Sequence, residues 1–243
     1  MRLYPVVLCG GGGARLWPLS RPDRPKPFVA FGGPRSLLRQ TIDRVSPLGP
    51  LRILAGPDHE ILIGETLDAA GVDGRLILEP EPRDTAGAIA AAALEVLAED
   101  AEGVMIVAPA DHYIPADERF QQATRGAVGL ADDTQSICVM GLKPRKASAA
   151  FGYIVPRDGS EGEVARFVEK PEPVEAARLI EGGGLWNIGV FVGPARVFVE
   201  ALDRHAPEVL AAARAAVKAG ERQGATLRLG AAFATAPALP FDR

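Results

Sequence analysis

Apolar and polar positions along this 243-residue chain fall into short blocks with two alternating periodicities. Residues 6–9, 51–55, 75–78, 104–108 and 136–142 are short, nearly unbroken apolar runs, the pattern of strands buried on both faces. Residues 36–45, 59–70, 84–100 and 117–130 carry helical spacing. The clearest is 84–100, where the alanine-rich stretch 88–93 and Leu94, Val96 and Leu97 combine high helix propensity with an apolar face. This β-α-β-α rhythm predicts an α/β fold, a mostly parallel sheet covered by helices on both faces.

The texture changes after about residue 143. Residues 151–156 and 164–169 are strand-like and separated by the polar turn 157–163, which predicts an antiparallel ribbon inserted over the sheet. Residues 173–181 read as a helix, 186–192 as a strand, and 196–219 as one or two alanine-rich helices. With neither an internal repeat nor a linker, 1–243 reads as a single domain.

Composition narrows the function classes. Apolar residues make up 47% and charged residues 24%, ordinary for a soluble globular protein, and a net charge of −4 argues against a general nucleic-acid surface. The absence of a long apolar run or leader pattern suggests a cytoplasmic protein without a membrane partner. Cys9 and Cys138 lie in apolar strand-like runs and read as reduced core residues. His59, His112 and His205 have no metal-ligand spacing.

Candidate chemistry gathers where the predicted strands end, since ligands of open α/β sheets sit at the carboxyl ends of the strands. The first strand runs into Gly10, Gly11, Gly12 and Gly13. Four consecutive glycines suit a loop whose amides approach an anion, with Arg15 and Lys26 adding charge; a flexible strand-to-helix turn is the alternative. The loop is neither a P-loop, for no Lys-Ser or Lys-Thr follows, nor the dinucleotide fingerprint, whose third glycine is replaced by Arg15 or Leu16. Asp111 follows the fourth strand. A carboxylate there suits Mg²⁺ completed by substrate phosphates, with a turn or helix-cap aspartate as the alternative.

These motifs resemble the sugar-1-phosphate nucleotidyltransferases, and most narrowly their mannose-1-phosphate guanylyltransferase branch. The resemblance rests on Gly10–Gly13 with Ala14-Arg15-Leu16-Trp17-Pro18-Leu19-Ser20, on Pro25-Lys26-Pro27-Phe28, and on Pro109-Ala110-Asp111-His112. Downstream it rests on Phe151-Gly152-Tyr153-Ile154, Glu169-Lys170-Pro171 and Trp186-Asn187-Ile188-Gly189. Thr usually stands at Ala14, Gln at Pro27, Asn at Asp84, Tyr at Phe151 and Ser at Ile188.

The resemblance implies a Rossmann-like three-layer fold and transfer of a nucleotidyl group from GTP to mannose-1-phosphate, releasing pyrophosphate. Arg15, Lys26 and Asp111 would be catalytic, with Asp111 holding the Mg²⁺ cofactor. Gly10–Gly13, Glu79, Pro82, Asp84 and Thr85 would bind the nucleotide. A carboxylate, from Glu79 or Asp84, can accept both N1–H and N2–H of guanine, and this geometry rejects adenine. Asp84 is also read as the N-cap of the alanine-rich helix. Gly152, Glu169, Lys170 and Asn187 would bind the sugar phosphate, while Trp186 and Phe191 read as core. A homodimer is implied by resemblance alone. Asp242 falls on a family aspartate; the family pattern then continues through a Trp-Ser-Asp-x-Gly segment with a second Mg²⁺ ligand, beyond residue 243. The alternatives are a binding or regulatory subunit without catalysis, and a nucleotidyltransferase for another base or hexose.

Overall fold

Residues 1–10, 16–21, 24–115, 117–157 and 162–242 are described by a computed structural model. Of the candidate phosphate loop, Gly11, Gly12, Gly13, Ala14 and Arg15 therefore lie outside the described residues. Residues 1–138 with 191–241 form one compact unit, and 139–190 with Asp242 form another.

The first unit opens with β1 (Leu3–Cys9), α1 (Leu37–Val45), β2 (Leu51–Ala55), α2 (Glu60–Ala70), β3 (Gly74–Leu78), α3 (Asp84–Glu99), β4 (Val104–Pro109) and α4 (Asp117–Thr134). The chain continues through β5 (Cys138–Leu142), β6 (Tyr153–Pro156), β7 (Val164–Val168), α5 (Pro173–Glu181) and β8 (Leu185–Pro194). It returns to the first unit with α6 (Ala195–His205), α7 (Pro207–Lys218), β9 (Glu221–Gln223) and β10 (Thr226–Arg228).

The sheet of the first unit has the order β8-β4-β1-β2-β3-β10-β9. Its centre is parallel: β1 pairs with β2 (Val6↔Arg52) and with β4 (Val6↔Val107), β2 with β3, and β3 with β10. The end of β8 and β9 are antiparallel. Valine and isoleucine fill the central strands because both faces are covered: Val6, Val7, Ile53, Ile106 and Val107 are fully buried. Right-handed crossovers put α1 and α2 on one face, since β1, β2 and β3 step in one direction, and α3 on the other, since β4 lies back beyond β1. The packing agrees: α3 contacts α6 and α7, and α1 contacts α2 and α4. The result is the expected three-layer, mostly parallel α/β architecture.

Alanine makes α3 thin enough to lie close to the sheet: Ala86, Ala88 and Ala90 to Ala93 are all buried, and Ala86 and Ala90 meet Leu202, Val209, Leu210 and Ala213 of α6 and α7. In the second unit β6 pairs antiparallel with β7 (Tyr153↔Val168) and with the start of β8 (Tyr153↔Trp186), which is the expected ribbon. Tyr153 anchors it, fully buried with Ala176 and Leu179 of α5.

Several boundaries differ from expectation. α4 runs to Thr134, a turn past Leu130, with a buried stripe of Phe120, Thr124, Val128 and Ala131. The 196–219 region is two helices, broken at Ala206, where the backbone leaves the helical region (φ −148°, ψ 57°) and Pro207 starts the next helix. The three-residue β9 and β10 have no counterpart in the sequence reading; only Leu227 of the pair is buried.

Candidate functional site

The strand order reverses between β1 and β4, and such switch points open a crevice at the carboxyl ends of the strands. Register pairs Leu8 with Pro109, so Gly10 and Asp111 lie within two residues of neighbouring strand ends. Lys26 arrives from a one-turn 3-10 helix, Lys26–Phe28, flanked by Pro25 and Pro27, whose rings fix the backbone. Phe28 is buried beneath it with its ring 5.5 Å from that of His59. This anchoring holds the Lys26 Nζ 2.6 Å from Asp111 Oδ2, with both side chains about one third exposed at 32%. A cation and a carboxylate thus stand together at the switch-point crevice.

Two neighbours of this pair are chemically quiet. Burial, helped by the Asp111 charge, pushes the Cys9 thiol up to about 12, so it stays protonated and is no nucleophile at neutral pH. Burial lowers the pKa of His112 against the opposing pull of Asp111, which favours the neutral imidazole. Among the described residues no three His, Cys, Asp or Glu side chains form a metal cage. Mg²⁺ commonly takes only one or two protein carboxylates and fills its shell with phosphates and water, and Asp111 fits that kind of site.

The second cluster follows β3. Glu79 is 9% exposed; its backbone N–H donates to the Ala55 carbonyl at 2.9 Å, yet its Oε1 is buried with no hydrogen-bond partner among the described residues. Burial raises its pKa to about 7. An orphaned buried carboxyl oxygen is expensive and calls for a donor. Pro82 and Asp84 are exposed, and Arg83 donates to Glu81 at 2.8 Å. Asp84 is not the N-cap expected for it. It is the first residue of α3, in the left-handed region at φ 53°, and the cap position is Arg83, which makes no side-chain capping bond.

The first turn of α3 is instead satisfied by the far end of the chain. Ala86 N–H donates to the Leu239 carbonyl at 3.0 Å, and Thr85 Oγ1 accepts from Phe241 N–H at 2.8 Å. Phe241 is pinned between the rings of Phe191 and Phe198, with centroids at 5.3 and 5.4 Å. This brace was missed in the sequence; the single available signal was the apolar Leu239-Pro240-Phe241 run. Phe191 is buried, as expected of a core residue.

In the second unit, Gly152, Tyr153, Glu169, Asn187 and Asp242 line a cavity of about 210 Å³. A Cβ on Gly152 would stand 2.8 Å from Glu169 Oε2, so a larger residue would displace the tip of that carboxylate. Asn187 is locked: its Nδ2 donates to Asp242 Oδ2 at 2.6 Å, its Oδ1 accepts from Gly189 N–H at 2.8 Å, and its own N–H donates to Gly152 O at 2.8 Å. Lys170 Nζ donates to Glu169 Oε1 at 2.6 Å from a left-handed backbone, φ 43°. Trp186 is half-buried and packs on the Tyr153 cluster, its ring 4.7 Å from that of Phe151. Two carboxylates and an oriented amide around a small cavity suit a polyhydroxylated ligand. Asp242 belongs to this set, although the motifs did not mark it as a site residue.

Residues 4–232 match the nucleotidyl transferase family, and the chain belongs to it. The mannose-1-phosphate guanylyltransferase resemblance holds over nearly the full chain. The chain is 35% identical to the alginate biosynthesis protein AlgA of Pseudomonas syringae pv. tomato over 99% of its length and 52% of that relative's. It is 37% identical to the mannose-1-phosphate guanylyltransferase ManC of Salmonella typhimurium over 89% of its length and 48% of that relative's. Among solved structures it superposes on one described as a mannose-1-phosphate geranyltransferase from Thermus thermophilus, with a TM-score of 0.86 at 35% identity, covering 100% of this chain and 70% of that one. The chain therefore spans about half the length of the curated relatives it matches. Among the described residues no helix is long and apolar enough to cross a membrane.

Proposed function

We propose that this chain transfers a guanylyl group from GTP to mannose-1-phosphate, giving GDP-mannose and pyrophosphate. The observation that carries the reading is the Lys26–Asp111 pair at the crevice between β1 and β4; family membership and the names of the relatives supply the substrates. A phosphate oxygen of the sugar phosphate attacks the α-phosphorus of GTP in line. A new P–O bond forms as the α–β anhydride bond breaks, and the electron pair leaves on pyrophosphate. No enzyme nucleophile is required, in keeping with the protonated Cys9 thiol, so the protein's work is positioning and charge stabilisation.

Gly10–Gly13 and Arg15 hold the β- and γ-phosphates in this reading, on sequence grounds alone. Lys26 binds the transferring phosphoryl oxygens. Mg²⁺, held through Asp111 and the substrate phosphates, supplies further neutralisation of the developing charge when bound. The carboxyl of Glu79, together with Pro82, Asp84 and Thr85, receives the guanine edge. Glu169 and Asn187, brought close to the backbone of Gly152, take sugar hydroxyls, and Lys170 takes the sugar phosphate. We also infer, from resemblance, a cytoplasmic homodimer.

Chromatography of a reaction containing the 243-residue chain, Mg²⁺, GTP and mannose-1-phosphate tests this directly. A GDP-mannose peak that disappears when ATP or UTP replaces GTP is expected. Bound GDP-mannose without turnover would leave a nucleotide-sugar-binding subunit in place of the enzyme.

A further inference from the structure

The parallel strands of the first unit also have amino ends, and these border a different cavity. It measures about 250 Å³ and is lined by Arg52 of β2, Arg75 of β3, Glu95 of α3, Arg222 of β9 and Thr226 of β10. Glu79 and Asp111, by contrast, follow the carboxyl ends of β3 and β4.

The carboxylates near this cavity are already engaged. Both Glu95 oxygens accept from Arg222, at 2.8 and 2.6 Å. Glu99 accepts from Arg52 at 2.8 Å, from Arg75 at 2.7 Å and from Arg2 at 3.2 Å. Three guanidiniums and one carboxylate thus line the cavity, with Glu99 outside the lining pairing Arg52 and Arg75. Arg52 is the unusual member, only 1% exposed, with its guanidinium 4.6 Å above the Tyr4 ring and its Nε without a hydrogen-bond partner among the described residues. A polar cavity lined by a buried guanidinium and two exposed ones is the complement of a tetrahedral oxyanion.

We propose that this cavity binds a phosphate group, as orthophosphate or as a small phosphate monoester, at a site separate from the one that takes the reactants. The guanidinium groups of Arg75 and Arg222 are the donors, and the buried Arg52 adds its charge to the lining. Arg75 and Arg222 side chains are 56% and 57% exposed, so the anion enters from solvent without any element moving.

The test is calorimetry on the full 243-residue chain with orthophosphate and, separately, glycerol 3-phosphate as probes. Saturable binding is expected, unchanged in Lys26→Ala and weakened about tenfold in Arg75→Gln, which leaves the Arg52–Glu99 pair in place. Since Arg222→Gln alone would strand the buried Glu95, the second variant combines Arg222→Gln with Glu95→Gln; a similar loss is expected, with melting temperature recorded to show that it folds. Orthophosphate binding alone assigns the site to the free anion, and binding of both probes assigns it to phosphate groups more broadly. Binding that is lost in Lys26→Ala but intact in both arginine variants, or no binding at millimolar probe, overturns the proposal.

Discussion

Glu79 carries a cost that is readable from its surroundings. Its carboxyl is buried, one oxygen lacks a partner among the described residues, and its pKa is raised to about 7 by burial. For an acid raised in the folded state, the stability it allows is fully present below its unfolded value of 4.5 and is lost as pH rises through about 7. Glu79→Gln removes that loss, so at pH 8 the variant should resist urea better than the parent by up to about 3 kcal/mol, with little difference at pH 4. Parallel pH profiles for the two proteins would contradict this. In the proposed reading guanine donates to the ionised carboxylate, so GTP affinity of the parent should rise between pH 6 and 8 more steeply than that of Glu79→Gln, which titration calorimetry measures.

Two further residues hold backbone conformations that their side chains disfavour. Lys170 sits at φ 43° and Asp84 at φ 53°, and both flank surfaces assigned here to ligands. Left-handed backbone costs a non-glycine residue about 1 kcal/mol, and such outliers cluster where function holds them. Lys170→Gly should therefore stabilise the fold by about 0.5–1 kcal/mol in thermal unfolding while raising KM for the sugar phosphate. Unchanged KM would remove Lys170 from the binding role. Neither φ value is visible in sequence, where Asp84 looks like an ordinary helix cap.

At the scale of elements, α3 is the piece on which the proposed nucleotide cluster depends. Its first turn carries Thr85 and Ala86; the Ala86 N–H is met by Leu239, and Thr85 accepts from Phe241, 156 residues later in the chain. Phe241→Ala removes an aromatic ring wedged between Phe191 and Phe198, and should cost about 2–4 kcal/mol of stability, measured by denaturant unfolding. Thr85→Val leaves the Phe241 N–H without its acceptor; a loss of about 1 kcal/mol, with weaker GTP binding, is expected. A Thr85→Val protein as stable as the parent would show the brace to be incidental. Elements with strong local signals were legible: the apolar runs of β1 to β4 and the alanines of α3 define themselves. β9 and β10 were not, because three-residue strands are fixed by the neighbour they pair with rather than by their own pattern. The break at Ala206 was legible only in part, since Pro207 fits a helix start as well as a loop.

At the scale of the whole molecule, strand order converts scattered motifs into sites. The β-α-β-α rhythm shows where ligand loops should gather, so Gly10, Glu79 and Asp111 are identifiable as strand-end residues from the sequence. The 2.6 Å contact of Lys26 with Asp111 is not, for 85 residues separate them and only the fold closes that distance. The same holds for Asp242, which bonds Asn187 across 55 residues. Nor does any pattern in the sequence mark the arginine-lined cavity at the amino ends of the strands, because its members come from β2, β3 and β9 and each reads alone as an ordinary surface cation.

The most direct test of the account is the rate of pyrophosphate release from GTP in the presence of mannose-1-phosphate and Mg²⁺, comparing the parent chain with Lys26→Ala and Asp111→Asn. The account predicts GTP-dependent release in the parent and a fall of roughly 10²–10³-fold in each variant, since each removes a charge aimed at the transferring phosphoryl group. Parent-like release from both folded variants would contradict it, and would move the chemistry away from the crevice between β1 and β4.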